Sequence, residues 1–134
     1  MVNSSADPLT FRRYVAIIDD DASVCRSLAR LLQLSGYQPI MFESAEQFLS
    51  DPVRTHFGCL LVDVQLGGMT GLEMHGKLIE EGDRTPVVYI TAFDDPRAQE
   101  DAVKLGCAGY FRKTDAGPDI LKAVRRVTTG PRPA

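Results

Sequence analysis

Four short apolar runs in this chain each lead directly to a polar residue with useful chemistry. Val15-Ala16-Ile17-Ile18 leads into Asp19-Asp20-Asp21, and Cys59-Leu60-Leu61-Val62 into Asp63. Val87-Val88-Tyr89-Ile90 leads into Thr91, and Gly109-Tyr110-Phe111 runs towards Lys113. Unbroken apolar runs of this length predict strands buried on both faces. A further run, Pro39 to Phe42, supplies another strand. Between the runs the apolar spacing becomes helical. Val24, Leu28, Leu31 and Leu32 share one face with Arg26 and Arg30 opposite, and Phe48 and Leu49 point inward from a short helix. Leu72, His75, Leu78 and Ile79 mark another helix, and Ile120, Leu121, Val124 and Val127 mark the last.

Polar punctuation fixes where these helices begin and stop. Asp21 caps the first and Gly36 ends it. Ser44 with Gln47 three residues later predicts a capping box. Asp94 or Asp95 caps a helix with Pro96 in its first position and Gly106 at its end, and Gly117-Pro118 opens the final one. Five strand-helix units in alternation predict an α/β fold, a doubly wound five-stranded parallel sheet with helices on both faces. The folded domain is expected over residues 13–127. A disordered segment is expected over 1–12 and a linker-like tail over 128–134, with Gly130, Pro131 and Pro133.

A chain of 134 residues can bury a core as one domain. Its net charge of -3 argues against nucleic-acid binding through this domain itself, which needs a basic face. No run is long enough to span a membrane, and Met1 to Thr10 lacks the apolar core of an export signal. Cys25, Cys59 and Cys107 have no metal-like spacing and suit reduced thiols, so a cytoplasmic location is expected.

In an open parallel sheet, residues at the carboxyl ends of the strands converge where strand order reverses. There the carboxylates of Asp19, Asp20 and Asp63, the hydroxyl of Thr91 and the ammonium of Lys113 form a site for a divalent cation and a phosphoryl group. Magnesium takes hard oxygen ligands and needs only one or two carboxylates besides a phosphate. Close carboxylates repel unless a cation neutralises them, and a carboxylate can itself accept a phosphoryl group. Asp21 is assigned to the helix cap.

The pattern resembles the receiver domain of bacterial two-component response regulators from Tyr14 to Val127. It is carried by Val15-Ala16-Ile17-Ile18-Asp19-Asp20-Asp21, by the run from Leu60 to Gly71, by Tyr89-Ile90-Thr91-Ala92 and by Gly109-Tyr110-Phe111-Arg112-Lys113. The segment Phe42 to Leu49 resembles one common in regulators whose output is a LuxR-type helix-turn-helix. The resemblance implies a flavodoxin-like sheet of order 2-1-3-4-5. It implies Asp63 as phosphoacceptor, with a histidine kinase or histidine phosphotransfer protein as donor. Mg2+ (or Mn2+) would be held by Asp19, Asp20, Asp63 and the backbone carbonyl of Gln65. Lys113 and Thr91 would contact the phosphoryl oxygens, and Thr91 and Tyr110 would form the switch. Gln65 and Phe93 would tune dephosphorylation, with Phe93 shielding the bond. The output would be a repacked fourth-helix and last-strand face, available for phosphorylation-dependent homodimerisation. Such a protein switches itself and is not a turnover enzyme.

Two positions depart from the family pattern. Thr114 stands where a proline in a cis peptide usually follows the lysine, and a cis bond before a non-proline residue costs about 3 kcal/mol. A trans bond or a remodelled loop is therefore expected. Leu66-Gly67 replaces the usual Met-Pro. Two alternatives compete: a haloacid-dehalogenase-type phosphatase using Asp19 and Asp21, and a receiver-like module that no longer phosphorylates.

Overall fold

The computed structural model describes residues 10–52, 54 and 56–129. After a 3-10 turn at Thr10–Arg13, strands and helices alternate: β1 (Tyr14–Ile18), α1 (Ala22–Leu34), β2 (Gln38–Phe42), α2 (Ala45–Leu49), β3 (Cys59–Asp63), α3 (Gly71–Glu80), β4 (Val87–Thr91), α4 (Pro96–Lys104), β5 (Gly109–Arg112) and α5 (Gly117–Thr129). The strands form one parallel sheet in the order β2-β1-β3-β4-β5.

Alternation along each strand sorts the core into two layers. Ala16, Ile18, Leu60, Val62, Val87 and Tyr89 face the layer that holds Phe48, Met74, Leu78, Ala98 and Ala102. Val15, Ile17, Cys59, Leu61, Val88 and Ile90 face Cys25, Leu28, Leu32, Ile120 and Val124. So α2, α3 and α4 cover one face while α1 and α5 cover the other. Right-handed crossovers produce this division. The chain steps outward from β1 to β2, then crosses back past β1 to β3, and the helix face changes with the direction. The reversal places the C-terminal ends of β1 and β3 side by side at the switch point.

Most predicted caps form. Asp21 accepts from the backbone N–H groups of Ser23 and Val24, and Asp95 does the same for Arg97 and Ala98, with Pro96 opening α4. Ser44 accepts from Gln47 N, but the return bond is displaced by one residue: the Gln47 side chain accepts from Glu43 N at 2.6 Å rather than from Ser44. A complete capping box forms instead at Thr70 and Glu73, opening α3.

Other boundaries and faces differ from expectation. The α1 stripe is centred on Cys25, Leu28, Ala29 and Leu32, with Val24 and Leu31 at its flanks. Ile79 is 44% exposed, because α3 buries Met74 in its place. Thr128 and Thr129 belong to α5 rather than to a tail. Thr128 is buried, with its hydroxyl bonded to Tyr37 Oη at 2.8 Å and to the Val124 carbonyl at 2.8 Å. At the other end, Thr10–Arg13 is ordered as the 3-10 turn. Arg12 reaches across to donate to the Thr128 carbonyl at 3.4 Å. Gly58 lets the 3-10 turn lie against the chain just before β3, since a Cβ there would lie 2.7 Å from Arg12 Cα. The remainder of the expected N-terminal disordered segment, 1–9, and of the tail, 130–134, lies outside the described residues.

Under α2, the rings of Phe42 and Phe48 meet edge to face at 5.2 Å, with Phe57 at 5.9 Å from Phe48. Phe48 is fully buried there. Phe48→Ala is expected to cost about 3 to 5 kcal/mol of unfolding free energy, measured by urea denaturation. A loss below about 1 kcal/mol would mean that the cluster collapses around the deletion.

Candidate functional site

Asp19 leaves β1 and Asp63 ends β3, so the switch point brings both carboxylates into one buried pocket, 3% and 4% exposed. Each is held by a backbone N–H two residues on: Asp19 Oδ1 accepts from Asp21 N and Asp63 Oδ1 from Gln65 N, both at 2.9 Å. These short turns fix one oxygen of each carboxylate. The exposed Asp20 completes the group, with one oxygen from each of Asp19, Asp20 and Asp63 lying within 4.8 Å of the others. Three hard carboxylate oxygens at that spacing suit a divalent cation of the oxygen-seeking class.

Lys113, one residue beyond β5, bridges the two buried carboxylates. Its Nζ lies 3.0 Å from Asp63 Oδ2 and 3.0 Å from Asp19 Oδ2. Burial raises the Asp19 pKa against the lowering pull of its hydrogen bonds, and the Asp63 charge adds to the rise. Burial alone would lower the Lys113 pKa, but hydrogen bonds to Asp63 and Asp19 outweigh it and raise it. The ammonium therefore sits where positive charge is most needed. The neighbouring Cys25 thiol donates to the Asp19 carbonyl at 3.3 Å. Burial, with the charges of Asp19 and Asp21, pushes its pKa up to about 11, which leaves it a poor nucleophile.

The Lys113–Thr114 peptide is trans, as expected. Without proline, the loop is held by other means. Lys113 N donates to the Thr91 carbonyl at 2.8 Å, while Asp115 accepts from Arg112 N at 2.9 Å and returns its own N–H to the Arg112 carbonyl at 3.0 Å. Asp115 thus fixes the turn that delivers Lys113, a role that the sequence reading missed.

The other predicted residues surround the cluster without joining it. Thr91 is buried, but its hydroxyl pairs with the Phe93 backbone, 3.3 Å to the carbonyl and 3.2 Å from N. Phe93 is 60% exposed. Gln65 contributes the N–H that holds Asp63, and its side chain is exposed. Tyr110 is half-buried, 6.1 Å from the Tyr89 ring, and its buried hydroxyl has no hydrogen-bond partner among the described residues.

Two further residues shape the loop after Asp63. Glu46, from α2, accepts from Met69 N at 2.9 Å, and that bond lowers its pKa. Gly71 opens α3 so close to β3 that a Cβ would collide with the Asp63 carbonyl and lie 2.8 Å from Val62 Cγ1. The glycine closes the run from Leu60 to Gly71, but nothing in its spacing announces the contact. Glu46 was equally visible, yet its partner is 23 positions away.

A family model described as the response regulator receiver domain matches residues 15–125. The chain belongs to this family. This receiver domain is similar to the response regulator protein TmoT of Ectopseudomonas mendocina, 34% identical over 111 residues that cover 83% of this chain and 50% of that protein. It is also similar to the transcriptional regulatory protein FixJ of Azorhizobium caulinodans, 37% identical over 111 residues, 83% of this chain and 53% of that one. The chain spans about half the length of the curated relatives it matches. Among solved structures, that of FixJ-N superposes with a TM-score of 0.80 at 28% identity, covering 90% of this chain and 97% of the other. The receiver's acidic cluster can hold a metal, and among the described residues no helix is long and apolar enough to cross a membrane. The phosphatase alternative fails here, because Asp21 is spent on capping α1 while Asp63 joins the cluster.

Two buried carboxylates against one ammonium leave the pocket short of positive charge. Asp19→Asn keeps an oxygen for Asp21 N and removes one charge, so it is expected to raise metal-free stability by about 1 kcal/mol, about 4 °C in a domain this size. It should also blunt the stabilisation that a divalent cation gives the wild type. Thermal unfolding with chelator and with added cation reads both effects, and a lower melting temperature in chelator would refute the first.

Proposed function

We propose that this receiver is a phosphorylation switch in which Asp63 accepts the phosphoryl group from a phosphohistidine on a histidine kinase or histidine phosphotransfer protein. The observation that carries this reading is the convergence of Asp63 with Asp19, Asp20 and Lys113 at the ends of β1, β3 and β5. An Asp63 oxygen attacks phosphorus, the phosphorus–nitrogen bond to the donor imidazole breaks, and that nitrogen leaves with the electron pair. Asp19, Asp20 and Asp63, with the Gln65 carbonyl, would hold Mg2+ (or Mn2+). When bound, the ion offsets the charge gathered on the phosphoryl oxygens.

Lys113 already stands 3.0 Å from Asp63 Oδ2 and can transfer its hydrogen bonds to the phosphoryl oxygens as they arrive. Thr91 would exchange its bonds with Phe93 for one to the same group, moving the loop after β4. Tyr110 would answer that movement and shift the face formed by α4 and β5 between two packings. That face carries exposed Val103 and the Arg112–Asp94 pair, which supports its use in phosphorylation-dependent pairing with a second copy. The receiver forms and loses its own aspartyl phosphate but turns over no metabolite, so it is a switch rather than an enzyme. It works in the cytoplasm, where the kinase donors act. An output module such as a LuxR-type helix-turn-helix fits the Phe42 to Leu49 resemblance, and any DNA contact then belongs to that module.

Intact mass after incubation with magnesium and a small acyl phosphate should show one added phosphoryl group on the wild type and none on Asp63→Asn. An adduct retained by Asp63→Asn would overturn the assignment. A wild type inert both to acyl phosphates and to a phosphorylated histidine kinase would instead indicate a module that has lost phosphorylation.

Phe93 stands exposed beside the Thr91 hydroxyl. Phe93→Ala is expected to open the phosphoryl group to water and shorten the phosphoprotein half-life severalfold. The decay of the phosphorylated mass after donor removal measures it, and an unchanged half-life would remove Phe93 from the tuning role.

A further inference from the structure

On the face of the sheet covered by α3 and α4 lies a polar contact outside the phosphoryl chemistry. His75 of α3 is buried, and its Nδ1 lies 2.8 Å from the hydroxyl of Tyr89, which is fully buried on β4. The two rings are 5.7 Å apart at 52°. The Tyr89 ring also meets the ring of Tyr110 on β5, 6.1 Å away at 47°. Three elements are thereby joined in a row, α3 to β4 to β5, ending on the aromatic residue assigned to the switch.

The row is balanced in an informative way. A phenol in an apolar core requires a partner, and among the described residues His75 supplies it for Tyr89. Burial lowers the His75 pKa and raises that of Tyr89, so both partners are neutral at ordinary pH and the bond carries no net charge. Among the described residues Tyr110 has no such provision, since its hydroxyl is buried without a partner there. Burying a hydroxyl unpaired is unfavourable. The place it occupies must therefore be offset by packing, and Tyr89 is the aromatic surface it packs against. A side chain whose burial is so nearly balanced responds to small changes in the firmness of its neighbour.

We propose that His75 is a positioning residue for the switch: by fixing the Tyr89 hydroxyl it holds that ring as the wall against which Tyr110 packs, and so favours the buried place of Tyr110. The inference rests on the reading of Tyr110 as the switch residue under the proposed function. His75 touches neither the acidic cluster nor Lys113 in this arrangement, and it acts only through Tyr89.

The test follows the Tyr110 ring by NMR of the whole chain carrying ring-labelled tyrosine, with signals assigned by Tyr→Phe substitution. Spectra are taken free and after treatment with magnesium and an acyl phosphate. His75→Leu and Tyr89→Phe each remove the bond, and each is expected to lower the ratio of buried to outward Tyr110 about fivefold, as one hydrogen bond of ordinary net strength allows. His75→Asn presents an amide near the former Nδ1 and should restore the ratio to within about twofold of wild type. A Tyr110 ratio unchanged in folded His75→Leu and Tyr89→Phe, even with a lowered melting temperature, would overturn the proposal and leave His75 a satisfied core histidine. Should His75→Leu fail to fold, Tyr89→Phe decides alone, since it keeps the ring and loses only the oxygen. The free-state ratio judges this coupling whether or not Asp63 takes a phosphoryl group, so a wild type without an adduct counts against the proposed function and not against the contact.

Discussion

Asp19 and Asp63 are carboxylates taken out of water within reach of each other, each held by a backbone N–H and both bridged by the Lys113 ammonium. Removing a single partner from such a buried arrangement typically leaves an uncompensated charge. The bridge also ties together strands that are distant in sequence: β1, β3 and the end of β5 meet through one ammonium. The same electrostatic need makes the pocket receptive. A cluster held by one cation has room, energetically, for a second, and for the negative group that follows it. The neighbouring thiol of Cys25 stays out of this chemistry because its burial and the acidic surroundings keep it protonated.

Topology supplies the meeting place before side chains refine it. Reversal of direction after β2 leaves β1 and β3 adjacent with their following helices on opposite faces. Their C-terminal ends open into the gap between those helices. Local devices then set the aim: Asp21 N and Gln65 N each hold one oxygen of a carboxylate, Glu46 restrains Met69, and Gly71 lets α3 begin against the strand end. Each is a modest interaction. Together they convert a general property of parallel sheets into a pocket with fixed oxygens.

Much of this was legible in the sequence because the signals were local. The strands announced themselves as apolar runs, Asp21, Ser44 and the pair Asp94-Asp95 as caps, and the acidic cluster followed from the order and spacing of polar residues at several strand ends. The errors arose where a partner lay elsewhere. The side chain of Gln47 turned to Glu43 N rather than to its own cap. Ile79 matched helical spacing but emerged at the rim, while Met74 filled the core. Thr128 resembled the start of a polar tail, yet its hydroxyl is satisfied by Tyr37, 91 positions away, and by the helix itself. Asp115 stands in for a missing proline through hydrogen bonds that a reading of residue types does not disclose. Long-range pairing and the final side-chain rotamers are the information that periodicity lacks.

The contact between Arg12 and the Thr128 carbonyl joins the first described element to the last. It makes the path of the chain almost a closed circuit, entering β1 and leaving α5 at neighbouring points. Where a polypeptide is cut is then largely a matter of synthesis rather than of architecture. A circularly permuted version, with these two points linked and the break moved to an exposed turn, would keep every strand pairing and both carboxylates in place.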